Sequence, residues 1–195
     1  MNSSIFRHNR VWPHPLYANI GDQMKEISIN KQSVVLIGMP GAGKSTIGIL
    51  LAKALGLDFL DTDISIQVQH NLTLQQISDQ SGYLVLRDYE EQVLLNEDIA
   101  CKVVSTGGSA VYSELGMARL KASAVVVFLD VTLEQLEIRV KNFTERGIAR
   151  RPEQSFADLF VERRALYQRY ADISIDCSHL SIDKALQSVI AALKQ

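Results

Sequence analysis

The sequence predicts an α/β fold with a central parallel sheet, on three observations. Short apolar, β-branched runs alternate with helix-patterned segments from about residue 33 onward. The first run passes through a glycine-rich turn directly into the first helix pattern. Carboxylates and glycines then follow later runs, at the strand ends where open parallel sheets bind ligands. The 195 residues suit one domain with a full hydrophobic core. That domain is placed at residues 32–195, behind an extension at residues 1–31.

The first unit carries the most chemistry. Ser33-Val34-Val35-Leu36-Ile37 has the length and β-branching of a buried strand. In the segment after it, Ile47, Leu50, Leu51, Ala54 and Leu55 recur on one helical face, and Gly56 suits a C-terminal stop. Between them lies Gly38-Met39-Pro40-Gly41-Ala42-Gly43-Lys44-Ser45-Thr46. Its glycines let successive N–H groups turn toward phosphate oxygens, and the helix N-terminus adds its dipole. Lys44 can reach the β- and γ-phosphates, and the Ser45 hydroxyl can ligand Mg²⁺. This is a P-loop in its required strand-to-helix context, and it predicts a nucleoside triphosphate with Mg²⁺.

Phe59-Leu60 reads as the second strand, ending in Asp61-Thr62-Asp63. Two carboxylates there can hold Mg²⁺ and orient or deprotonate a hydroxyl, or they can cap the helix that starts at Ile64. Residues 64–80 read as short helices broken at Asn71-Leu72-Thr73, with Thr73 as N-cap and His70 as a surface histidine. A long helix is expected over 82–99, with Leu84, Leu86, Tyr89, Val93 and Leu94 packing inward. On it, Arg87 lies three and four residues before Glu90 and Glu91. That is either a surface pairing or an arginine set to grip an anion with its planar fork.

Lys102-Val103-Val104-Ser105-Thr106 is the third strand, ending in Gly107-Gly108-Ser109, a plain turn or a place for close ligand approach. A helix from about Ser113 to Lys121 precedes the clearest strand, Ala124-Val125-Val126-Val127-Phe128-Leu129-Asp130. Thr132 caps a helix reaching Lys141. Arg146, Gly147, Arg150, Arg151 and Pro152 then mark a basic segment, read as a lid at about 142–155 or as a solvated loop. A helix over 155–170, the strand Ile173-Ser174-Ile175-Asp176 and an amphipathic helix over 181–194 close the chain. In the last, Ile182, Leu186, Val189, Ile190 and Leu193 are expected inward.

Composition narrows the function. The chain is 47% hydrophobic and 22% charged with a net charge of −2, which argues against nucleic-acid binding. Cys101 and Cys177 lack metal-ligand spacing, read as core residues and suit the cytoplasm. No apolar run reaches membrane-span length, and no signal-peptide pattern opens the chain. Residues 1–31 read as a loosely packed extension, or as a docking arm anchored by Phe6, Trp12 and Tyr17. A monomer is expected, with a dimer through that arm as the alternative.

These residues together resemble the shikimate kinase family of P-loop proteins, over about residues 33–194. The resemblance rests on the P-loop, Leu60-Asp61-Thr62-Asp63, Arg87 with Glu90, Gly107-Gly108, Arg151-Pro152, and Arg163 ahead of Leu166-Tyr167. It implies a three-layer fold with a five-stranded parallel sheet in the order 2-3-1-4-5. It also implies transfer of the ATP γ-phosphoryl group to the 3-hydroxyl of shikimate, in aromatic amino acid biosynthesis. Nucleotide contacts would come from Gly41, Ala42, Gly43, Lys44, Ser45, Thr46 and Arg139, and Mg²⁺ ligands from Ser45 and Asp61. Asp63 would orient or activate the hydroxyl. Arg87, braced by Glu90, and Arg163 would grip the carboxylate, with Gly107 and Gly108 beside the substrate. Arg151, or Arg150 in its place, would close from the lid onto phosphate. Tyr83, Leu86, Ser109, Glu153 and Ala165 depart from the family pattern, mostly near the acceptor. A kinase for another small hydroxylated acid or polyol, or a nucleotide-binding regulatory module, are the alternatives.

Overall fold

The computed structural model describes residues 33–140 and 147–195. The expected arm at 1–31 and residues 142–146 of the expected lid lie outside them. Within them the elements alternate as the patterning requires. The first half contains β1 (Ser33–Ile37), α1 (Lys44–Leu55), β2 (Asp58–Asp61), α2 (Thr62–His70), α3 (Leu74–Asn96) and β3 (Lys102–Ser105). A 3₁₀ turn (Ala110–Tyr112) leads to α4 (Glu114–Ser123), β4 (Ala124–Asp130), α5 (Leu133–Arg139), α6 (Phe156–Tyr170), β5 (Ile173–Asp176) and α7 (Ile182–Ala192).

The five strands form one all-parallel sheet in the order β2-β3-β1-β4-β5. On β1, Val34, Val35, Leu36 and Ile37 are each no more than 1% exposed. Successive strand side chains point to opposite faces, so both faces of the sheet are covered. Helix α1 packs on β2 and β3 and against α7, while α4 and α6 pack on β4. β1 pairs with β3 on one side and β4 on the other, so the strand order reverses at its carboxyl end. The crevice at such a reversal is where open α/β sheets bind ligands, and the P-loop occupies it.

Local chemistry sets the boundaries. Gly56 ends α1 at φ 65°. Thr73 and Gln76 form a capping box at the start of α3, and Ser155 with Asp158 forms one at α6. His70 is half-buried and stacks on Tyr89 with ring centroids 3.7 Å apart. Three packing expectations fail. Leu84 and Ile182 are exposed, and so is Cys101, whereas Cys177 is buried. Gly82, at φ 85° and ψ 164°, interrupts α3. After that break the inward face is Leu86, Glu90, Val93 and Leu94. Leu84 misses the core because it lies two residues before Leu86, about 200° round the same helical stretch and so on its outer face. Leu86 and Val93 join Ile66, Ile77 and Ala149 in a second, smaller core beside the main one. No helix of the described residues is long and apolar enough to cross a membrane.

The Gly82 backbone lies in a region that only glycine adopts without strain, although a Cβ there would meet nothing within 4 Å. Gly82→Ala should therefore lower unfolding stability by about 1–3 kcal/mol through backbone strain alone. The shift in the urea midpoint at unchanged m-value measures it.

Candidate active site

The P-loop turns through positive φ at Gly38, Gly41 and Gly43, and a Cβ on Gly41 would overlap the Val140 side chain. Gly41, Gly43, Lys44, Ser45, Thr46 and Arg139 line one cavity of about 560 Å³. Lys44 Nζ donates to the Gly38 and Met39 carbonyls at 2.8 and 3.1 Å. Burial draws the Lys44 pKa down to about 8, against the pull of Asp63 and Asp61. Arg139 is anchored by the Cys177 and Ser178 carbonyls at 3.1 and 3.2 Å, at the far rim. Ala42 differs from its neighbours: it is buried behind the loop, and its N–H donates to Met39. A turn of backbone amides, a buried ammonium and a rim guanidinium fit the phosphates and base of ATP.

Asp61 does what the capping alternative describes. Its Oδ1 accepts from the Asp63 and Ile64 N–H groups at 3.0 and 3.4 Å. It is also the direct neighbour of Ser105 across β2 and β3, and Ser105 Oγ lies 3.3 Å from Ser45 Oγ. Two hydroxyls and a carboxylate fit Mg²⁺, which keeps several waters and takes phosphate oxygens as ligands. Among the described residues no cluster of three His, Cys, Asp or Glu side chains could hold a metal without such help. Ser105 escaped sequence reasoning; its signal is its place at the end of β3, beside Asp61.

Asp63, Leu86, Glu90, Gly108, Ser109, Ile148, Ala149 and Arg163 line the same cavity. Burial, then Asp61, raises the Asp63 pKa to about 6, while Lys44 and Arg163 oppose the shift. Glu90 rises to about 7 for the same first reason, with Asp63 adding to it and the Ser109 hydrogen bond opposing. Gly107 makes room for both carboxylates: a Cβ there would overlap Glu90 Oε1 and come within 2.7 Å of Asp63 Oδ1. Its N–H donates to Thr62 Oγ1 at 2.9 Å and so does not face the cavity. Gly108 sits between Pro40 and Arg163, and its carbonyl accepts from the Tyr167 hydroxyl at 2.6 Å.

The two expected carboxylate-gripping arginines converge. Arg163, 1% exposed, donates from Nη2 to the Ala149 carbonyl at 2.7 Å, and Arg87 Nη2 reaches the same oxygen at 3.5 Å. Both also carry a buried Nε without a partner among the described residues. The expected Glu90 brace on Arg87 is not formed. Glu90 Oε2 instead accepts from the Ser109 hydroxyl, and Arg87 lies over the Tyr112 ring. Arg151 does not reach the P-loop either. It pairs at 2.7 Å with Glu162, a carboxylate already fixed by Tyr112 and Gln154. Arg150 donates to the Arg151, Pro152 and Gln154 carbonyls and folds its own loop. Tyr112 and Glu162 were not singled out from the sequence for this site.

Comparison with known proteins identifies the family. A family model described as shikimate kinase matches residues 40–194. A shikimate kinase of Rhodopseudomonas palustris is 36% identical over 169 residues, covering 85% of this chain and 83% of the relative. One from Mycobacterium leprae is 36% identical over 166 residues, covering 82% and 81%. Among solved structures, a shikimate kinase from Acinetobacter baumannii in complex with shikimate superposes with a TM-score of 0.76 at 29% identity, covering 84% of this chain and 93% of that one. The Aquifex aeolicus enzyme gives 0.71 at 32% identity, covering 83% and 96%.

Glu90 gives the site a testable pH signature. Its folded pKa of about 7 stands above the ordinary 4.5, so its contribution to stability is intact below pH 4.5 and is lost as pH rises through 7. Glu90→Gln, which keeps an acceptor for Ser109, should gain on the unsubstituted protein by on the order of 2 kcal/mol between pH 5 and pH 8. Urea unfolding of both proteins at the two pH values tests this, and a gap independent of pH contradicts it.

Proposed function

The chain belongs to the shikimate kinase family, phosphotransferases that act on an alcohol group, and from that premise we propose that it transfers the γ-phosphoryl group of ATP to the 3-hydroxyl of shikimate. The observation that carries the reading is a single cavity lined by both the P-loop and Asp63 with Arg163. Phosphate donor and acceptor alcohol can therefore meet without crossing bulk water. Arg163, with Arg87 beside it, suits a carboxylate, because charge-assisted bonds from a guanidinium fork are strong and directional. The Ala149 carbonyl marks a position where both arginines already meet an oxygen.

In this reading Lys44 holds the β- and γ-phosphates and offsets the charge that spreads over the moving phosphoryl group. Ser45, Ser105 and Asp61 would hold Mg²⁺, which would supply positive charge to offset the negative charge of the phosphates. Asp63 accepts the hydroxyl proton as the acceptor oxygen bonds to the γ-phosphorus and the bond to the bridging oxygen breaks. ADP leaves with that electron pair. Arg139 flanks the base. The reading places the enzyme in the cytoplasm with reduced Cys101 and Cys177. A second reading, a kinase for another small hydroxy acid, draws on Tyr83, Leu86 and Ser109, which depart from the family pattern around the acceptor side.

The deciding experiment couples ADP release to candidate acceptors in the presence of Mg²⁺. Shikimate should be phosphorylated; no turnover at high enzyme concentration, with turnover of a sugar acid, selects the second reading. Lys44→Ala should nearly abolish transfer with the fold retained by circular dichroism. Asp63→Asn should lower kcat by about 10²–10⁴-fold, the usual size of a lost general base. The unsubstituted enzyme should lose kcat/KM as pH falls through about 6, where Asp63 takes up its proton.

A further inference from the structure

Sequence spacing gives Arg87 two candidate braces, and the fold uses neither. Glu90 is taken by the Ser109 hydroxyl, and Glu91 Oε2 accepts from Ser113 Oγ at 2.5 Å. What meets Arg87 is a ring. Its guanidinium carbon lies 3.6 Å from the Tyr112 ring centroid, with the Tyr83 ring farther off at 5.2 Å. Its hydrogen bond to the Ala149 carbonyl is long, at 3.5 Å. The Tyr112 ring is itself held in place. The Tyr112 N–H donates to Ser109 at 3.0 Å, closing the 3₁₀ turn. The Tyr112 hydroxyl donates to Glu162 Oε1 at 2.5 Å, and Glu162 Oε2 accepts from Arg151 and Gln154. The Arg163 guanidinium carbon lies 5.4 Å from the same ring centroid.

Stacking and ion pairing differ in what they leave free. A carboxylate brace occupies the in-plane N–H groups of a guanidinium. A ring under its face occupies none of them. We propose that Tyr112 is the positioning residue for acceptor binding in this chain: its ring holds Arg87 by the face, so that Arg87 and Arg163 turn their N–H edges to one acceptor carboxylate. This inference deepens the acceptor assignment made above and rests on it. It gives Tyr112, Ser109 and Glu162 a joint purpose that the family resemblance does not supply.

The test is steady-state kinetics with shikimate and with its methyl ester, which lacks the negative charge, on the unsubstituted enzyme, Tyr112→Phe and Tyr112→Leu. Tyr112→Leu should raise the KM for shikimate about tenfold, the size of a partly buried cation–π contact, and leave the KM for ATP unchanged. The ester, which cannot use the arginine pair fully, should be affected little. Tyr112→Phe, which keeps the ring, should stay within about threefold of the unsubstituted enzyme. An unchanged shikimate KM in Tyr112→Leu overturns the proposal. So does an equal rise for acid and ester, or equal damage by Phe and Leu. Tyr112→Met supplies the same comparison if the leucine variant does not fold. No shikimate turnover by the unsubstituted enzyme overturns the acceptor assignment and this inference together; turnover without the Tyr112 effect overturns this inference alone.

Discussion

An ammonium group almost out of water, at the carboxyl end of β1, is the constraint that the site is built around. Lys44 is only 9% exposed, and a buried cation persists only where other groups replace its hydration. Two loop carbonyls do part of this, and Asp63, Asp61 and Glu90 favour its charge from farther away. Those carboxylates crowd one another in turn, and burial with mutual repulsion raises Asp63 and Glu90. Arg163 adds a second positive charge that holds Asp63 lower than burial alone would set it. The cluster is one balanced set of charges drawn from α1, α2, α3 and α6. The parallel sheet brings those four helices together, because its strand ends all point at the same crevice.

The acceptor side shows how one turn can reassign several partners. Ser109 stands where the family pattern has a glycine, and its hydroxyl engages Glu90. Tyr112 follows three residues later, across a 3₁₀ turn in which residues three apart eclipse one another. The same short segment thus removes the acidic partner from Arg87 and supplies an aromatic one. With Ser109 on Glu90 and Tyr112 under Arg87, the turn leaves Arg87 supported through its face rather than paired through its edge.

Much of this was legible in the chain. Alternation of patterns predicted the sheet and its helices, and the spelling of residues 38–46 in a strand-to-helix context predicted the phosphate loop. Asp63 and Arg163 were identified and lie in one cavity. Helical spacing says that Arg87 and Glu90 are neighbours on α3, but a hydroxyl from the β3 loop, distant in sequence, takes the carboxylate. Leu84 counts as inward on hydrophobic character, yet at i, i+2 it stands about 200° from Leu86 on the same helix and faces out. Arg151 takes its expected phosphate role from the family resemblance, and here it pairs with Glu162, an already oriented partner. Local pattern fixes which groups share an element; which partner each group keeps is decided between elements, and that information is not periodic.

The Ala149 carbonyl shows why two arginines can wait in a buried site without collapsing onto the acids nearby. Two guanidinium groups close together repel, and each buried N–H needs an acceptor. A backbone carbonyl satisfies one donor from each and adds no net charge. It leaves both Nε groups without a partner among the described residues. A carboxylate offers two oxygens and a full negative charge, and bonds to ionised acceptors are roughly twice as strong as neutral ones. An acid entering the cavity therefore competes with the carbonyl on favourable terms, and an uncharged alcohol of the same shape does not. Under the proposed function, discrimination for an acidic acceptor would then follow from the difference between a dipole and a charge at one position.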